Sequence, residues 1–353
     1  MKLQLGGNKL IYHLDRLQDW YSGKDIHPLY LEIGPARTCN QRCIHCYIDH
    51  LGFEGVMLEE EIFLKLIDDI GKIGVKGIQF AGCGEPLMNQ SLPKAIEMAY
   101  ERKISVALTT NGILYKKSLI EKTLGAITWV RYSILGGSPE TYSLLHRVNM
   151  KQFNILLKNI SDAVEIRRMH KYKATVGIAM FLFRENACEI VEFAKRMKDI
   201  GVDYLVVKCP GYDPRNEYKP ERGLESIYIN ELKEIENLSD GGFKAHVRLD
   251  QFKGESKRPE LPQGCLSLDF MGAVDSDGKV YSCNGHWRDD RYCYGDLHKS
   301  SFIEIWNSER KKKIVERLKQ EVDYKDCYCI CRNYSANKFL WDLTHPPQHV
   351  NLI

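Results

Sequence analysis

The sequence predicts an α/β fold in which six parallel strands alternate with helices. Strand-like segments recur between residues 30 and 208, with helical stretches such as 58–73 and 187–200 between them. This alternation favours one parallel sheet with short, right-handed crossovers. Gly, Asn, Cys or Pro residues gather just after the strands, which is where α/β barrels place their active sites.

Each predicted strand is an apolar or β-branched run that stops at polar or turn-forming residues. The first, 30–36, leads directly into a loop of cysteines. The second, 76–81, ends at Gly82-Cys83-Gly84-Glu85-Pro86, and the third, 104–109, ends at Thr110-Asn111-Gly112. The other three strands, 129–134, 174–182 and 203–208, are followed by Leu135-Gly136-Gly137, Arg184-Glu185-Asn186 and Cys209-Pro210.

Length and composition suit one large α/β domain with an accessory piece, because 44% of the 353 residues are hydrophobic. We expect a lead helix in residues 1–29, the strand–helix domain in 30–250 and the accessory domain in 251–353, with a Lys- and Pro-rich linker at 253–262. The net charge of +3 does not suggest a nucleic-acid or membrane-surface partner, and no apolar run approaches a membrane span. Twelve cysteines without a signal-peptide core fit reduced thiols in the cytoplasm.

Cys39, Cys43 and Cys46 follow the first strand with spacings of three and two residues. A [4Fe–4S] cluster held by three thiolates leaves one iron open to a non-protein ligand, so that iron can take part in chemistry. The alternatives are disulfides or a zinc site with His45 or His50 as the fourth ligand. Zinc sites usually pair two CxxC hairpins, and no such partner lies near this loop, so the sequence favours an iron–sulfur enzyme.

These residues resemble the radical S-adenosylmethionine (SAM) superfamily, and the resemblance extends over nearly the full length. The cysteine spacing matches the superfamily's cluster motif, and Gly84-Glu85-Pro86 resembles the turn that receives the SAM amino group, although Cys83 stands where a glycine is usual. The resemblance implies a partial (β/α)6 TIM-like barrel in which SAM chelates the open iron. Reductive cleavage of SAM would then give a 5′-deoxyadenosyl radical that abstracts hydrogen. The implied cofactor contacts are Tyr47, Gly84, Glu85, Pro86, Asn111, Ser133 and Arg147.

A second group of cysteines lies beyond residue 260 and resembles the SPASM/twitch extensions that hold auxiliary [4Fe–4S] clusters. Residues 275–278 predict a hairpin turn that brings Cys265 and Cys283 together. Two auxiliary clusters need about seven or eight cysteines. Only six cysteines lie in this part of the sequence, so we expect one cluster, with Cys293 packed rather than ligating. The implied ligands are Cys265 and Cys283, with two from Cys327, Cys329 and Cys331; four thiolates would leave no open iron, which favours electron transfer.

Three further cysteines lie outside both groups. Cys188 is expected in the buried face of a helix, and Cys209 follows the sixth strand and should face the barrel mouth. Some radical SAM epimerases return a hydrogen atom to the substrate from a cysteine thiol, so we hypothesise this role for Cys209, with Cys83 as the second choice. The alternative is that Cys209 is a small residue filling the end of a strand.

The leading functional expectation is hydrogen abstraction from a small polar molecule, such as a sugar, an aminocyclitol or a nucleotide-linked sugar. Dehydrogenation, epimerisation and dehydration remain open. We expect neither a cobalamin domain nor a leader-peptide module, because residues 1–29 are too few to hold one. A peptide-modifying maturase with a separate leader-binding partner is the second hypothesis, and a non-catalytic iron–sulfur carrier is the third. We expect flavodoxin or ferredoxin as the external one-electron reductant, and specificity from residues 212–223 and the loop at His286-Trp287-Arg288.

Overall fold

A computed structural model describes residues 9–46, 48–211, 215–252, 264–321, 331 and 333–351. The strands are β1 Tyr30–Ile33, β2 Gly77–Phe80, β3 Ser105–Thr110, β4 Trp129–Ile134, β5 Thr175–Phe181, β6 Tyr204–Lys208, β7 Lys244–Val247, β8 Met271–Val274, β9 Lys279–Tyr281 and β10 Cys293–Asp296. The α-helices are α1 Leu14–Tyr21, α2 Glu60–Lys72, α3 Leu92–Glu101, α4 Lys117–Thr123, α5 Pro139–His146, α6 Lys151–Met169, α7 Ile190–Ile200, α8 Leu224–Ile227, α9 Ile229–Asn237, α10 Leu249–Phe252, α11 Phe302–Trp306, α12 Glu309–Glu321 and α13 Tyr334–Thr344.

The strands form one open sheet in the order β10-β9-β8-β1-β2-β3-β4-β5-β6-β7 within the described residues. Each neighbouring pair from β1 to β7 is parallel, so the predicted α/β fold with a partial TIM-like barrel is confirmed. The first strand is shorter than predicted and ends at Ile33. Pro35 lacks a donor N–H and cannot continue the ladder, and Ala36 makes only an isolated bridge to Met57.

The sequence did not predict that the sheet continues into the C-terminal extension. Strand β8 pairs parallel to β1, with Tyr30 opposite Met271 and Ile33 opposite Val274. The predicted hairpin turn joins β8 to β9, with Val274 opposite Val280. The extension therefore shares a continuous hydrogen-bonded sheet with the barrel strands.

The outer face of the sheet packs against helices and forms the main core. In β4, Val130, Tyr132 and Ile134 are fully buried in this core, while the alternate residues Trp129, Arg131 and Ser133 are half-buried on the other face. Period-2 alternation of this kind separates an apolar outer face from a polar inner face. The inner face is therefore the place where a polar molecule can lie.

The two ends of the described chain pack together beside the sheet. A separate apolar cluster joins Leu17 of α1, Phe270 and Leu340 of α13, and all three are buried. Helix α1 lies within residues 1–29, where a lead helix is predicted, and shares this cluster with the last helix, α13. The predicted linker at 253–262 lies outside the described residues.

Candidate active site

The loop carrying the three cysteines follows β1 and is held by the end of α5. Ile44 N–H donates to the carbonyl of Leu145 (3.0 Å), and Arg42 N–H donates to that of His146 (3.2 Å). Within the loop, Cys46 N–H donates to the Cys43 carbonyl at 3.1 Å. These backbone bonds order the loop independently of any bound group, which favours pre-organisation of its thiols.

All three thiols of this loop are partly covered. Burial raises the pKa of Cys39 to about 11 and that of Cys46 to about 12, and it raises the pKa of Cys43 well above its usual range. The thiols are therefore protonated at neutral pH without iron, and loading releases protons. No three His, Cys, Asp or Glu side chains converge on one metal ion in the described residues. A cluster has no such requirement, because each thiolate binds a different iron.

Glu85 lies at the end of β2 and is 2% exposed. Its Oε1 accepts hydrogen bonds from the Thr110 hydroxyl (2.6 Å) and Leu87 N–H (3.1 Å), and its Oε2 accepts one from Asn111 N–H (2.7 Å). Burial raises the pKa of Glu85 to about 7, although these three hydrogen bonds oppose the rise. Each oxygen of a carboxylate has two acceptor sites, so Oε2 can still accept a further hydrogen bond from a ligand.

Asn111, at the end of β3, connects Glu85 to the cysteine loop. Its side-chain nitrogen lies 2.7 Å from the Asn40 side-chain oxygen and 3.7 Å from the Cys39 sulfur, while its backbone N–H binds Glu85. The ends of three neighbouring strands, β1, β2 and β3, thus meet at one point. The structure brings together three of the residues that the sequence placed at separate strand ends.

Gly84 and Pro86 shape the turn that presents Glu85. A Cβ on Gly84 would lie 2.3 Å from the Thr38 carbonyl oxygen and 2.6 Å from that of Ala36, so this position packs directly on the backbone preceding Cys39. Pro86 opens a short 3₁₀ helix, Pro86–Met88, for which Glu85 is the N-cap. The two residues position the turn and present no side chain with a hydrogen-bonding group.

Ser133 and Arg147 flank the same edge of the sheet. Ser133 lies near the end of β4, on its half-buried inner face. Arg147 follows α5 with a left-handed backbone (φ 54°), is exposed, and its positive charge partly opposes the burial-driven rise in the pKa of Cys43. Arg147 therefore lies near the cysteine loop. The predicted contact Tyr47 lies outside the described residues.

Cys265 and Cys331, two of the predicted auxiliary ligands, contact α13. Cys265 is buried and accepts a hydrogen bond from the Asn337 amide of α13 at 3.2 Å, and Cys331 precedes the same helix. Burial raises the pKa of the Tyr294 hydroxyl, and negative charge at Asp269, Cys283 and Cys265 adds to the rise. Among the described residues, that hydroxyl is buried and has no hydrogen-bond partner. Cys327 and Cys329 lie outside the described residues.

The other cysteines occupy different environments. Cys293 is buried in β10 and its thiol faces the Gly295 carbonyl at 3.5 Å. Cys83 is fully buried in an apolar cluster with Ile48 and Trp287. The expectation that Cys188 is a core residue is wrong. It is exposed, because the helix predicted from residue 187 begins only at Ile190 and Cys188 lies in the preceding turn.

Cys209 is buried directly after β6 and has the Arg222 guanidinium 3.6 Å from its sulfur. The same loop contacts the cysteine loop, because the Asn216 side-chain nitrogen donates to the Cys46 carbonyl at 3.0 Å. Phe181, which pairs with Lys208 in the sheet, has its ring 4.7 Å from that of His45. The end of β6 is thereby linked to the same edge as the cysteine loop.

Sequence reasoning missed two buried residues that contact this region. His146 lies against Cys43, and Arg37 is 2% exposed and forms ion pairs with Asp275, Asp277 and Glu54. Neither residue belongs to a short motif. Cys43 lies 103 residues from His146 in the sequence, and Asp275 lies 238 residues from Arg37. No local sequence pattern indicated either residue.

Comparison with known proteins shows which family has this arrangement. The family model of the radical SAM superfamily matches residues 33–197, and a model of an iron–sulfur cluster-binding domain (SPASM) matches residues 265–333. The GTP 3′,8-cyclase of Chlorobaculum tepidum is 33% identical over 311 residues, which cover 83% of this chain and 88% of that protein. The chain belongs to the radical SAM superfamily.

A further sequence relative and two solved structures are similar to this radical SAM enzyme over most of its length. A tungsten-containing aldehyde ferredoxin oxidoreductase cofactor-modifying protein of Pyrococcus furiosus is 23% identical over 311 residues, covering 80% of this chain and 81% of that protein. The structure of Streptococcus suis SuiB bound to S-adenosylmethionine has a TM-score of 0.64 at 16% identity, covering 87% of this chain and 73% of that chain. Native anSMEcpe with bound AdoMet has a TM-score of 0.59 at 18% identity, covering 92% of this chain and 100% of that chain.

The radical SAM and SPASM domains together establish the cofactors. The protein uses S-adenosylmethionine, a SAM-binding [4Fe–4S] cluster and an auxiliary iron–sulfur cluster. The donor set fits the first cluster, since Cys39, Cys43 and Cys46 share one ordered loop beside Glu85. None of the helices in the described residues is long and apolar enough to cross a membrane.

Proposed function

We propose that this radical SAM enzyme abstracts hydrogen from a small polar substrate bound on the inner face of the sheet. Cys39, Cys43 and Cys46 would hold the SAM-binding cluster, and Cys265 and Cys283, with two of Cys327, Cys329 and Cys331, would hold the auxiliary one. When bound, the cluster and SAM supply a species that abstracts hydrogen from unactivated carbon. The protein's own side chains select, orient and desolvate the substrate.

The observation that carries the proposal is a chain of polar side chains across β1 to β4. The Tyr30 hydroxyl donates to Gln79 Oε1 at 2.8 Å, and Gln79 Nε2 donates to the Thr109 hydroxyl at 3.0 Å. Arg131 Nη2 donates to the same hydroxyl at 3.2 Å. Polar groups arranged in this way fix the orientation of a polar ligand, and covering them with an apolar one would cost free energy.

A carboxylate also belongs to this inner face. Glu32 of β1 is 4% exposed, and both of its oxygens lie 3.1 Å from the Asn284 amide nitrogen. Asn284 follows β9, so the SPASM extension contributes directly to the inner face. The inner face thus offers one carboxylate, Glu32, one guanidinium, Arg131, and several neutral hydrogen-bonding groups. This set suits a molecule with hydroxyl, amino or phosphate groups. The relative named for GTP acts on such a molecule.

The SAM contacts proposed from the sequence are consistent with this placement. Glu85 and Asn111 stand at the same edge as the cysteine loop, and Arg147 brings a cation near it. A carboxylate suits an amino group, and a guanidinium suits a carboxylate. An external one-electron donor such as flavodoxin or ferredoxin, in the cytoplasm, completes the proposal.

The test measures 5′-deoxyadenosine formed by the anaerobically reconstituted full chain with SAM and dithionite. GTP, UDP-glucose and unmodified peptides are added separately. We expect the nucleotide-type or sugar-type molecules to stimulate 5′-deoxyadenosine formation. Stimulation by peptides alone would replace the proposal with peptide maturation, and no 5′-deoxyadenosine from any mixture would support a non-catalytic carrier.

A matched pair of variants locates the substrate. Arg131→Gln should weaken the substrate-dependent stimulation by about tenfold or more, since a hydrogen bond to a charged group contributes about 1.5–3 kcal/mol. Arg168→Gln, at the exposed end of α6, should leave it unchanged. Equal effects of the two substitutions would contradict binding at the inner face.

A further inference from the structure

His146, the last residue of α5, is 1% exposed and has a defined tautomer. Its Nε2 accepts a hydrogen bond from the backbone N–H of Leu135 at 3.0 Å. A ring nitrogen that accepts a hydrogen bond carries no hydrogen, so the single proton of the neutral imidazole lies on Nδ1. The ring therefore has one donor, and it points away from Leu135.

That donor faces the cysteine loop. His146 Nδ1 lies 3.2 Å from the Cys43 sulfur and 2.8 Å from Gln41 Oε1. The Gln41 side chain presents its oxygen to the ring, because its nitrogen donates to the Tyr142 hydroxyl at 2.7 Å. Both neighbours of Nδ1 are thus acceptors, and the sulfur becomes the charged one of the two when Cys43 is a thiolate.

The hydrogen bond from His146 Nδ1 to the Cys43 sulfur becomes stronger when Cys43 is a thiolate. Hydrogen bonds to ionised acceptors are roughly twice as strong as those to neutral ones. Hydrogen bonds to cluster sulfurs are also among the features that set the reduction potential of an iron–sulfur cluster. One-electron reduction by the external donor adds one negative charge to the cluster without forming or breaking a bond. A fixed N–H donor therefore stabilises the reduced state more than the oxidised state.

We propose that His146 is a positioning residue that donates its Nδ1–H to the Cys43 thiolate and thereby raises the reduction potential of the SAM-binding cluster. The inference rests on the proposed assignment of Cys43 as a cluster ligand. The Leu135 N–H contributes to this role, because it holds the His146 ring in the tautomer that can donate from Nδ1.

Two amide substitutions, each of which can mimic one ring nitrogen, separate the donor from the structural contact. In His146→Asn, the amide nitrogen can occupy the place of Nδ1, which keeps the donor and loses the acceptor for Leu135. In His146→Gln, the amide oxygen can occupy the place of Nε2, which keeps the contact with Leu135 and loses the donor to Cys43.

The experiment is a redox titration of the reconstituted full chain without SAM, followed by electron paramagnetic resonance. His146→Gln should lower the equilibrium constant for reduction of the SAM-binding cluster by about tenfold, which is about 59 mV for one electron. His146→Asn should stay near the wild-type potential, and the auxiliary cluster should not change in either variant. An unchanged potential in His146→Gln, or equal shifts in both variants, would overturn the proposal.

Two further measurements keep the proposal testable if a variant fails to fold or to load iron. Imidazole ¹⁵N shifts of the wild-type full chain should show His146 protonated at Nδ1, and protonation at Nε2 would overturn the inference. Cys43→Ser should remove or alter the signal of the SAM-binding cluster while the auxiliary signal remains. If both signals are unaffected, the ligand assignment fails, and the inference that rests on it fails with it.

Discussion

At the scale of single residues, the edge of the sheet that carries the cysteine loop contains a buried carboxylate. Glu85 is 2% exposed and is surrounded by hydrogen-bond donors from Leu87, Thr110 and Asn111. Burial penalises its charge and the donors compensate in part, leaving a pKa of about 7. A carboxyl group that titrates near neutrality can change its affinity for a cationic or N–H-donating ligand over a narrow pH range.

The affinity for SAM should therefore depend on pH through Glu85. Because the pKa is raised to about 7, the carboxylate is present above that pH and is lost as the pH falls below it. We expect SAM to bind the cluster-loaded protein more weakly at pH 6 than at pH 8, measured by equilibrium dialysis. Glu85→Gln should bind SAM weakly with a flat profile, and identical profiles for the two proteins would contradict the role.

Cys209 offers a second prediction at this scale. Its buried thiol lies beside Arg222 on a loop that contacts the cysteine loop through Asn216. If it returns a hydrogen atom to the substrate, Cys209→Ala should abolish product formation. Deuterium from a labelled substrate should still reach 5′-deoxyadenosine. Full product turnover by the variant would remove Cys209 from the mechanism.

At the scale of elements, the ends of β1 and β2 are packed backbone against backbone. Glu85 N–H donates to the Thr38 carbonyl at 2.9 Å, and Gly84 leaves no space for a side chain against Thr38 and Ala36. The β2 turn therefore supports the segment that leads into Cys39. Because Gly84 does not have a positive φ, its requirement is steric rather than conformational.

Gly84→Ala should consequently destabilise this edge. The new Cβ would lie 2.3 Å from a backbone oxygen, so the backbone must shift. Overpacking of this kind costs about 1–3 kcal/mol in the free energy of unfolding. Gly241→Ala is the matched control, because a Cβ there meets nothing within 4 Å. Urea unfolding should separate the two variants, and equal stabilities would contradict the packing argument.

At the scale of the whole molecule, the SPASM extension is joined to the barrel by both hydrogen bonds and charge. Strand β8 extends the sheet beside β1. Arg37 forms an ion pair with the fully buried Asp275 of the β8–β9 turn. Burial by itself would lower the pKa of Arg37, but the charge and hydrogen bond of Asp275 raise that pKa above its usual value. The segment that leads to the cysteine loop and the auxiliary-cluster domain are thus coupled through one buried pair.

Breaking that pair should be costly for the folded state. Arg37→Met leaves the Asp275 charge buried and uncompensated, which typically costs about 3–5 kcal/mol in the free energy of unfolding. Adding Asp275→Leu should recover much of the loss, as a double-mutant cycle by chemical denaturation would show. Lys94→Ala is the control, since its pair with Glu60 is exposed and surface pairs contribute about 0–1 kcal/mol. A double variant as unstable as Arg37→Met alone would contradict the coupling.

Much of the fold could be predicted because its signals are local. Periodicity and turn residues located all six strands from β1 to β6, and β4 has the predicted bounds Trp129–Ile134. The pairing of β8 with β1 could not be predicted, since it joins Tyr30 to Met271 and no local pattern records such a contact. The exposure of Cys188 was not predicted for a related reason. Where a helix begins depends on tertiary packing, and helix propensity is a property of the local sequence only.

The sequence by itself determined the chemistry of this protein: three cysteines at fixed spacing on one loop, a Gly-Glu-Pro turn after the next strand and a second group of cysteines near the C-terminus. These are short-range patterns, and the spacing of metal-binding residues within one loop is set by the chain itself. The tertiary structure alone decided that Glu85 is bound by Asn111, that His146 presents one donor to Cys43 and that Arg37 contacts Asp275. Each of these contacts joins segments far apart in sequence, and their energies depend on burial that exists only once the sheet has assembled.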